Sequence, residues 1–267
     1  MKYAKLMNSA RLIAAMAVLL AWMSTGRAWA YDNAANGYHL EVPESWMQIP
    51  QSDVEAMLKV VAKPGSHAIT YDAVFQQEAG PPWFAYPYIM VQPLPYTSFG
   101  LSRQMRDDEF PGLMKAITGL DMSKVLDERL SKQATDLMDS PRFENPQLDT
   151  AARRARYTLH MNVKGVGEIR GQAMLYFGRD AAIQVVFYAP EKEWSKYAAS
   201  ADTAAGSLQF TPAKAYDPAL NSNPLLRASI TGAAVGLLVG GLIVVMKMRQ
   251  KGKTSGAQST DSGQQKV

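Results

Sequence analysis

Alternating apolar and polar residues are clearest between residues 157 and 188. In 157–163, Tyr, Leu, Met and Val alternate with Thr, His and Asn, and a Lys-Gly-Val-Gly turn follows. Residues 168–177 then run back, and 182–188 follow a Gly-Arg-Asp turn with apolar residues at every second position. A period of two is typical of half-buried strands, and short glycine turns join antiparallel neighbours. The pattern predicts a three-stranded antiparallel meander.

Other apolar patterns predict helices on both sides of this sheet. After Pro190, apolar residues including Trp194, Tyr197 and Ala201 recur at helical spacing, which predicts a closing helix packed on the sheet. A helix capped by Ser52 or Asp53 is also predicted. Further strands are predicted over 38–42, 46–49, 69–76 and 88–92, and residues 101–139 are predicted to be mostly helical, with one helix over 122–137. The fold class is therefore predicted to be α+β, an antiparallel sheet flanked by helices.

The N-terminus has the three parts of a signal peptide. Basic residues precede an apolar run, Leu12–Met23, of about a dozen residues, and small residues flank Trp29 in Ala28-Trp29-Ala30. That run is too short to cross about 30 Å of hydrocarbon. We expect residues 1–30 to be a signal peptide and 31–210 to form an extracytoplasmic domain; the alternative is an uncleaved anchor, after which the same domain is translocated.

A second apolar segment, Ala228–Met246, predicts one C-terminal transmembrane helix. Its nineteen residues carry no charge and span about 28 Å as a helix. The basic flank 247–253 places the C-terminus in the cytoplasm by the positive-inside rule. We expect 211–227 to be a stalk and 247–267 a basic, disordered cytoplasmic tail. The predicted protein is a single-pass protein of the inner membrane with a periplasmic domain.

Gly232, Gly236 and Gly240 recur every four residues within the predicted membrane helix. On a helix they form one smooth face along which a second helix can approach closely. The pattern favours homo-oligomerisation or packing on a partner's helix; the alternative is that glycine is simply common in membrane helices.

The charge is concentrated at the chain ends. The net charge is +4, from 28 basic and 24 acidic residues. Residues 1–30 hold four of the bases, and 247–267 hold five bases and one acid, so 19 bases and 23 acids remain between them, a net −4. A nucleic-acid partner is not expected, because such partners require a concentrated basic face. The chain has no cysteine and no Asn-x-Ser/Thr site, which favours a bacterial envelope protein.

No catalytic motif is visible in the sequence. His39, His67 and His160 are far apart, and neither a nucleophile elbow nor a phosphate loop occurs. The acidic trio 107–109 is interpreted as a helix N-terminus rather than a pair of catalytic carboxylates. We predict no enzyme, cofactor or metal; the alternative is an envelope hydrolase whose site is assembled from distant residues.

Two segments are candidate recognition surfaces. The first is the aromatic, proline-rich run 82–88, with Trp83, Phe84 and Tyr86, which is typical of peptide or sugar binding; the alternative is a strand edge packed into the core. The second is basic and would face anionic lipid headgroups or an acidic partner, the alternative being a solvated strand edge. It consists of Arg153, Arg154 and Arg156.

The ends of the predicted domain resemble the PsbP/DcrB-like group of extracytoplasmic domains. The resemblance rests on Gly37-Tyr38-x-Leu40-x-x-Pro43-x-x-Trp46, the meander 157–188 and the closing Gly206-Ser207-Leu208-Gln209-Phe210. It implies an antiparallel sheet with helices on its faces and a non-catalytic role in binding or assembly. As an interaction protein, the chain is predicted to have an envelope protein as partner. No functional residue follows from it, because the matching positions are core and turn positions.

Overall fold

The computed structural model describes residues 28–63, 70–77, 80–99, 101, 104–118 and 130–221. These ranges leave out the predicted membrane helix with its three glycines, the cytoplasmic tail, residues 222–227 of the predicted stalk, most of the signal peptide, His67, and half of the predicted helix 122–137. None of the helices within the described ranges combines the length and the hydropathy needed to cross a membrane.

Within the described ranges, ten strands pair in antiparallel fashion into a three-stranded and a seven-stranded sheet. The strands are β1 (Ala28–Asn33), β2 (Tyr38–Pro43), β3 (Met47–Gln48), β4 (Ala73–Gln76), β5 (Tyr88–Pro95), β6 (Met138–Asp149), β7 (Arg154–Val163), β8 (Gly167–Phe177), β9 (Ala181–Pro190) and β10 (Gln209–Phe210). Their order is β1-β2-β10 in the small sheet and β3-β4-β5-β9-β8-β7-β6 in the large one.

Helices cover both faces of the large sheet. They are α1 (Gln51–Val61), α2 (Phe110–Thr118), α3 (Lys132–Thr135) and α4 (Trp194–Gly206), with 3-10 turns at Tyr96–Phe99, Glu191–Glu193 and Pro218–Asn221. The predicted α+β class, with antiparallel sheets and helices on the faces, is confirmed for the described residues.

The alternation along β7, β8 and β9 sends side chains into two cores. Leu159, Leu175 and Phe177 belong to the first core, which α1, α2 and α3 cover. Ile183 and Phe187 belong to the second core, between the large sheet, α4 and the small sheet. Strands β8 and β9 are therefore largely buried on both faces, whereas β7 contributes apolar side chains to the first core only and carries partly exposed polar residues on its other face. The meander predicted over 157–188 is confirmed.

The edge strand β6 was not predicted. Its prolines, Pro141 and Pro146, argue against a central strand, but they are tolerated at an edge, where an N–H need not be donated. Its register with β7 shifts twice, and Asn145 lies at φ 53°. Phe143 holds the strand to the sheet by edge-on contact with Tyr157, with ring centroids 5.6 Å apart. In 101–139, the described residues are helical only in α2 and α3.

Residues that precede the predicted start of the domain, residue 31, also pack on it. β1 begins at Ala28, within the predicted signal peptide, and Trp29 makes an edge contact to Phe75 with centroids 5.7 Å apart. Helix α1 begins after Pro50, which lies at the N-cap in place of the predicted Ser52 or Asp53.

Candidate functional site

The aromatic run 82–88 packs largely inward. Phe84 is 1% exposed and belongs to the first core, against which Trp83 and Tyr86 are partly buried. Tyr86 stacks on Tyr88 with ring centroids 5.0 Å apart. Because Phe84 is buried, the structure favours core packing, the alternative interpretation of this run, over a recognition surface.

The three predicted arginines lie at and just after the turn from β6 to β7. Arg153 adopts a left-handed conformation, φ 52°, which costs a residue with a Cβ about 1–2 kcal/mol and persists only where the surroundings hold it. Its guanidinium lies 3.8 Å from the centroid of the Tyr216 ring and forms an ion pair with Asp107. The turn therefore presents Arg153 in one defined position.

Arg154 and Arg156 share one face of β7 because side chains alternate along a strand. Ala155, between them, is buried in the first core. Arg154 Nη2 lies 3.2 Å from a carboxylate oxygen of Asp149, and Arg156 Nη2 donates to Asp202 at 2.8 Å. Both arginines remain partly exposed, with 39% and 42% of their side-chain surface accessible.

Asp149 positions the turn as well as the arginine. One of its carboxylate oxygens accepts the backbone N–H of Ala152 at 2.9 Å, and the other accepts Nε of Arg154 at 3.3 Å. The hydrogen bond from Ala152 and the positive charge of Arg154 lower the pKa of Asp149. This carboxylate is therefore ionised at neutral pH and holds the guanidinium of Arg154 in place through Nε and Nη2.

Two adjoining clefts open beside these arginines. The larger, here called the aromatic cleft, has a volume of about 570 Å³. It is lined by Ala152, Arg153, Arg154, Tyr176, Phe177, Gly206, Leu208, Gln209, Phe210, Ala215, Tyr216 and Pro218. The smaller, the strand groove, has about 390 Å³ and is lined by Gln147, Leu148, Asp149, Arg154, Arg156, Met174, Asp202 and Gly206. Arg154 and Gly206 line both, so the two clefts meet at these residues.

Tyr176 forms part of the wall of the aromatic cleft. Its hydroxyl donates to the carbonyl of Ala205 at 2.6 Å, at the C-terminal end of α4. Burial raises the pKa of Tyr176 to about 12, although the charge of Arg154 opposes that shift. The phenol is therefore protonated at neutral pH and serves as a hydrogen-bond donor to the helix end.

The segment 211–221, here called the exit segment, contributes Ala215, Tyr216 and Pro218 to the lining of the aromatic cleft. The sequence predicted a stalk over 211–227, but the structure packs the exit segment on the domain. The Thr211 N–H donates to Gly37 O at 2.8 Å, and the Arg179 N–H donates to Lys214 O at 2.8 Å. Lys214 Nζ pairs with Asp180 at 2.6 Å.

One glycine, Gly37, and one glutamine, Gln104, make this packing of the exit segment possible. Gly37 lies at φ 61°, and a Cβ there would collide with the side chain of Lys214. The amide of Gln104 brackets Asp217: its Nε2 donates to Asp217 O, and its Oε1 accepts the Asp217 N–H at 3.2 Å. Sequence reasoning missed these contacts because backbone atoms make most of them, and backbone atoms leave no periodic signal.

A second polar cluster surrounds His160 on β7. Its ring nitrogens lie 3.5 Å from a carboxylate oxygen of Glu144 and 3.6 Å from one of Glu191. Arg170 lies 3.6 Å from Glu191 and over the ring of Trp194, 4.4 Å from its centroid. The structure thus brings carboxylates to His160 that sequence spacing did not indicate.

A partly buried carboxylate, Asp72, ties the small sheet to the large one. It accepts the hydroxyl of Tyr38 at 2.9 Å and the amide of Asn36 at 2.8 Å. Burial raises the pKa of Asp72, and these hydrogen bonds partly oppose the shift.

Across the ranges with assigned structure, no group of three or more His, Asp or Glu side chains is arranged to hold a metal ion.

Comparison with known proteins gives matches to solved structures alone. No protein-family model and no curated protein matches the chain. The chain is similar to cyanobacterial PsbP (CyanoP) from Synechocystis sp. PCC 6803, with 15% identity and a TM-score of 0.44 over 70% of this chain and 95% of that one.

Two further solved structures are similar to this chain at lower TM-scores. The Ran-binding protein Mog1p of Saccharomyces cerevisiae has 8% identity and a TM-score of 0.33 over 82% of this chain and 94% of Mog1p. LpqN of Mycobacterium tuberculosis, a protein involved in cell envelope biogenesis, has 13% identity and a TM-score of 0.32 over 70% of this chain and 91% of LpqN. A PsbP structure is thus among the folds that this chain resembles, as the residues at both ends of the domain indicated.

Proposed function

We propose that the chain is a single-pass, membrane-anchored, extracytoplasmic module that binds a ligand or an envelope partner and catalyses no reaction. The N-terminal export pattern and the uncharged segment 228–246 with its basic flank support this location. Helix packing through Gly232, Gly236 and Gly240 would add self-association within the membrane. The recognition surface in this proposal is the aromatic cleft.

The composition of the cleft carries the proposal. Its described lining holds two arginines and four aromatic rings, and no histidine, carboxylate, lysine, serine or threonine. Acid–base or nucleophilic catalysis requires a group that exchanges a proton near neutral pH or attacks as a nucleophile. Tyr176 does neither, since its hydroxyl is bound to Ala205 and its pKa is raised to about 12. This lining is suited to binding, and it gives no support to the alternative of an envelope hydrolase.

The arginines set the chemical class of the ligand. A guanidinium presents five N–H donors in a planar fork that matches a carboxylate or a phosphate. Arg153 and Arg154 keep 22% and 39% of their side-chain surface accessible beside the aromatic rings. The ligand in this proposal therefore carries an anionic group next to apolar surface.

Site-specific photo-crosslinking in intact cells tests the proposal. A photoreactive amino acid replaces Gln209, which is exposed and lines the cleft, or Glu168, which is exposed at the opposite end of the sheet. We expect an adduct from position 209 that is absent from position 168 and reduced by Arg154→Gln. Equal adducts from both positions, or an adduct at 209 that Arg154→Gln leaves unchanged, would contradict the proposed surface.

A further inference from the structure

The packed exit segment limits the distance between the aromatic cleft and the bilayer. Pro218 lines the cleft, and the predicted membrane helix begins ten residues later, at Ala228. Ten residues reach at most about 35 Å when fully extended. Because Thr211, Lys214 and Asp217 are bound to the domain, the exit segment cannot lengthen this tether while it stays packed. The cleft therefore lies within reach of the lipid headgroups.

The cleft also has the composition of a membrane interface. Tyr216 provides a partly exposed amphipathic ring, of the kind enriched at the headgroup level of bilayers, and Phe210 adds partly exposed apolar surface. Arginine forks match phosphate oxygens in bidentate fashion. We propose that the aromatic cleft binds the phosphate headgroup of an anionic phospholipid from the bilayer that anchors the chain. This inference rests on the proposed function, because it requires the predicted anchor.

The carboxylates beside the arginines favour a compact headgroup over an extended acidic peptide. Asp149 holds Arg154 by Nε and one terminal nitrogen, so the fork keeps further N–H donors for a second acceptor. An acidic peptide leaving the cleft along the strand groove would pass Asp149 and Asp202, which line that groove. Like charges at that range repel, and a single headgroup bound at Arg154 meets Asp149 but not Asp202, which does not line the aromatic cleft.

Binding in this position would orient the domain. The β6–β7 turn, the β8–β9 turn and the exit segment lie at one end of the large sheet, as the contacts of Arg153 to Tyr216 and of Arg179 to Lys214 show. A lipid held there turns this end toward the membrane. The β7–β8 turn at the opposite end, with Glu168, then points away from it.

Energy transfer from the full chain to lipid measures this orientation. The chain has no cysteine, so Gln209→Cys provides a single attachment point for a donor dye. The labelled chain is reconstituted into nanodiscs of phosphatidylcholine, with or without phosphatidylglycerol, that carry an acceptor on a trace of headgroups. We expect higher transfer with phosphatidylglycerol, and Arg154→Gln should lower the docked fraction relative to the undocked one by about tenfold, because it removes charge-assisted hydrogen bonds.

Arg142→Gln is the matched control. Arg142 is also an exposed arginine in an ion pair, 2.7 Å from Glu144, and it lies near the other end of the β6–β7 pair. It should leave the transfer unchanged. Equal transfer in both lipids, or equal loss from the two variants, would overturn the lipid proposal. If the photo-crosslinking in cells gives a protein adduct from position 209 while the energy transfer does not depend on the lipid, the ligand is an acidic partner, and the proposed function still stands. If the photo-crosslinking gives no adduct of any kind, the proposed function itself is contradicted.

Discussion

Gly178 tests whether the exit segment is held on the domain as described. A Cβ at this position would lie 2.7 and 2.8 Å from ring carbons of Phe210 and 2.9 Å from the backbone oxygen of Lys214. Real Cβ atoms do not approach other atoms so closely, and a backbone oxygen cannot rotate away. The Gly178 carbonyl is itself fixed, since it accepts the hydroxyl of Tyr96 at 2.6 Å. In Gly178→Ala, the ring of Phe210 and the backbone of the exit segment at Lys214 must therefore both move.

The strain is similar in size to two of the contacts that hold the exit segment near Lys214 and Tyr216. Overpacking by a methyl group costs about 1–3 kcal/mol. Releasing the segment loses the hydrogen bond from Arg179 to Lys214, at about 0.5–1.5 kcal/mol net. It also loses the stacking of Arg153 on Tyr216, at about 0.5–2 kcal/mol. The strain therefore lowers the free energy of local opening of the exit segment by about 1–3 kcal/mol, with smaller effects elsewhere.

Hydrogen exchange measured by mass spectrometry on the full chain reports this opening. About 1.4 kcal/mol corresponds to tenfold, so amides in 211–217 should exchange roughly 5- to 150-fold faster in Gly178→Ala. Gly206→Ala is the control, because a Cβ there meets no atom within 4 Å. Unchanged exchange in 211–217, or the same acceleration from Gly206→Ala, would refute the packing of this segment.

Three further predictions concern the fold. Gly171→Ala places a Cβ 2.9 Å from the buried ring of Tyr188, so denaturant unfolding should show a loss of about 1–3 kcal/mol, and an unchanged midpoint would contradict that contact. Ser131→Ala removes the acceptor for the Ala134 N–H and should cost about 0.5–2 kcal/mol by the same assay, while a stabilised variant would show that the cap is unimportant. The pKa of Asp72 is raised in the folded state, so the stability that this shift contributes is complete below the unfolded pKa and is lost as the pH rises through the folded pKa. When the pH is lowered from 7 to about 4, the free energy of unfolding of the wild type should therefore increase relative to that of Asp72→Asn. A relative decrease would contradict the partial burial of this carboxylate.

The sequence predicted the elements whose side chains repeat with a clear period. β7, β8 and β9 follow one another through short turns, so local pattern and tertiary pairing agree. Helix α4 was predicted equally well, because Trp194, Tyr197 and Ala201 all face the second core. At these places each local preference points to the same structure.

Other parts could not be predicted because distant residues determine them. Pro141 and Pro146 argue against a strand over β6 when only the local sequence is considered, and the position of β6 is set by its pairing with β7 at the sheet edge. The exit segment lacks periodicity, and its packing depends on a space that Gly37 and Gly178 leave open. The arginines were identified from the sequence, but the cleft beside them was not. Its rings come from β8, β10 and the exit segment, which meet only in the folded chain.

Labelling of single cysteines in spheroplasts with a membrane-impermeant maleimide tests the central claim, that the folded domain lies outside the cytoplasm while the C-terminal tail lies inside. The cysteine-free chain permits Gln209→Cys in the domain and Ser259→Cys in the predicted tail, each in the full chain. The account predicts that position 209 is labelled at once and position 259 only after the membrane is permeabilised. Labelling of position 259 in sealed spheroplasts, or protection of position 209 until they are opened, would contradict it.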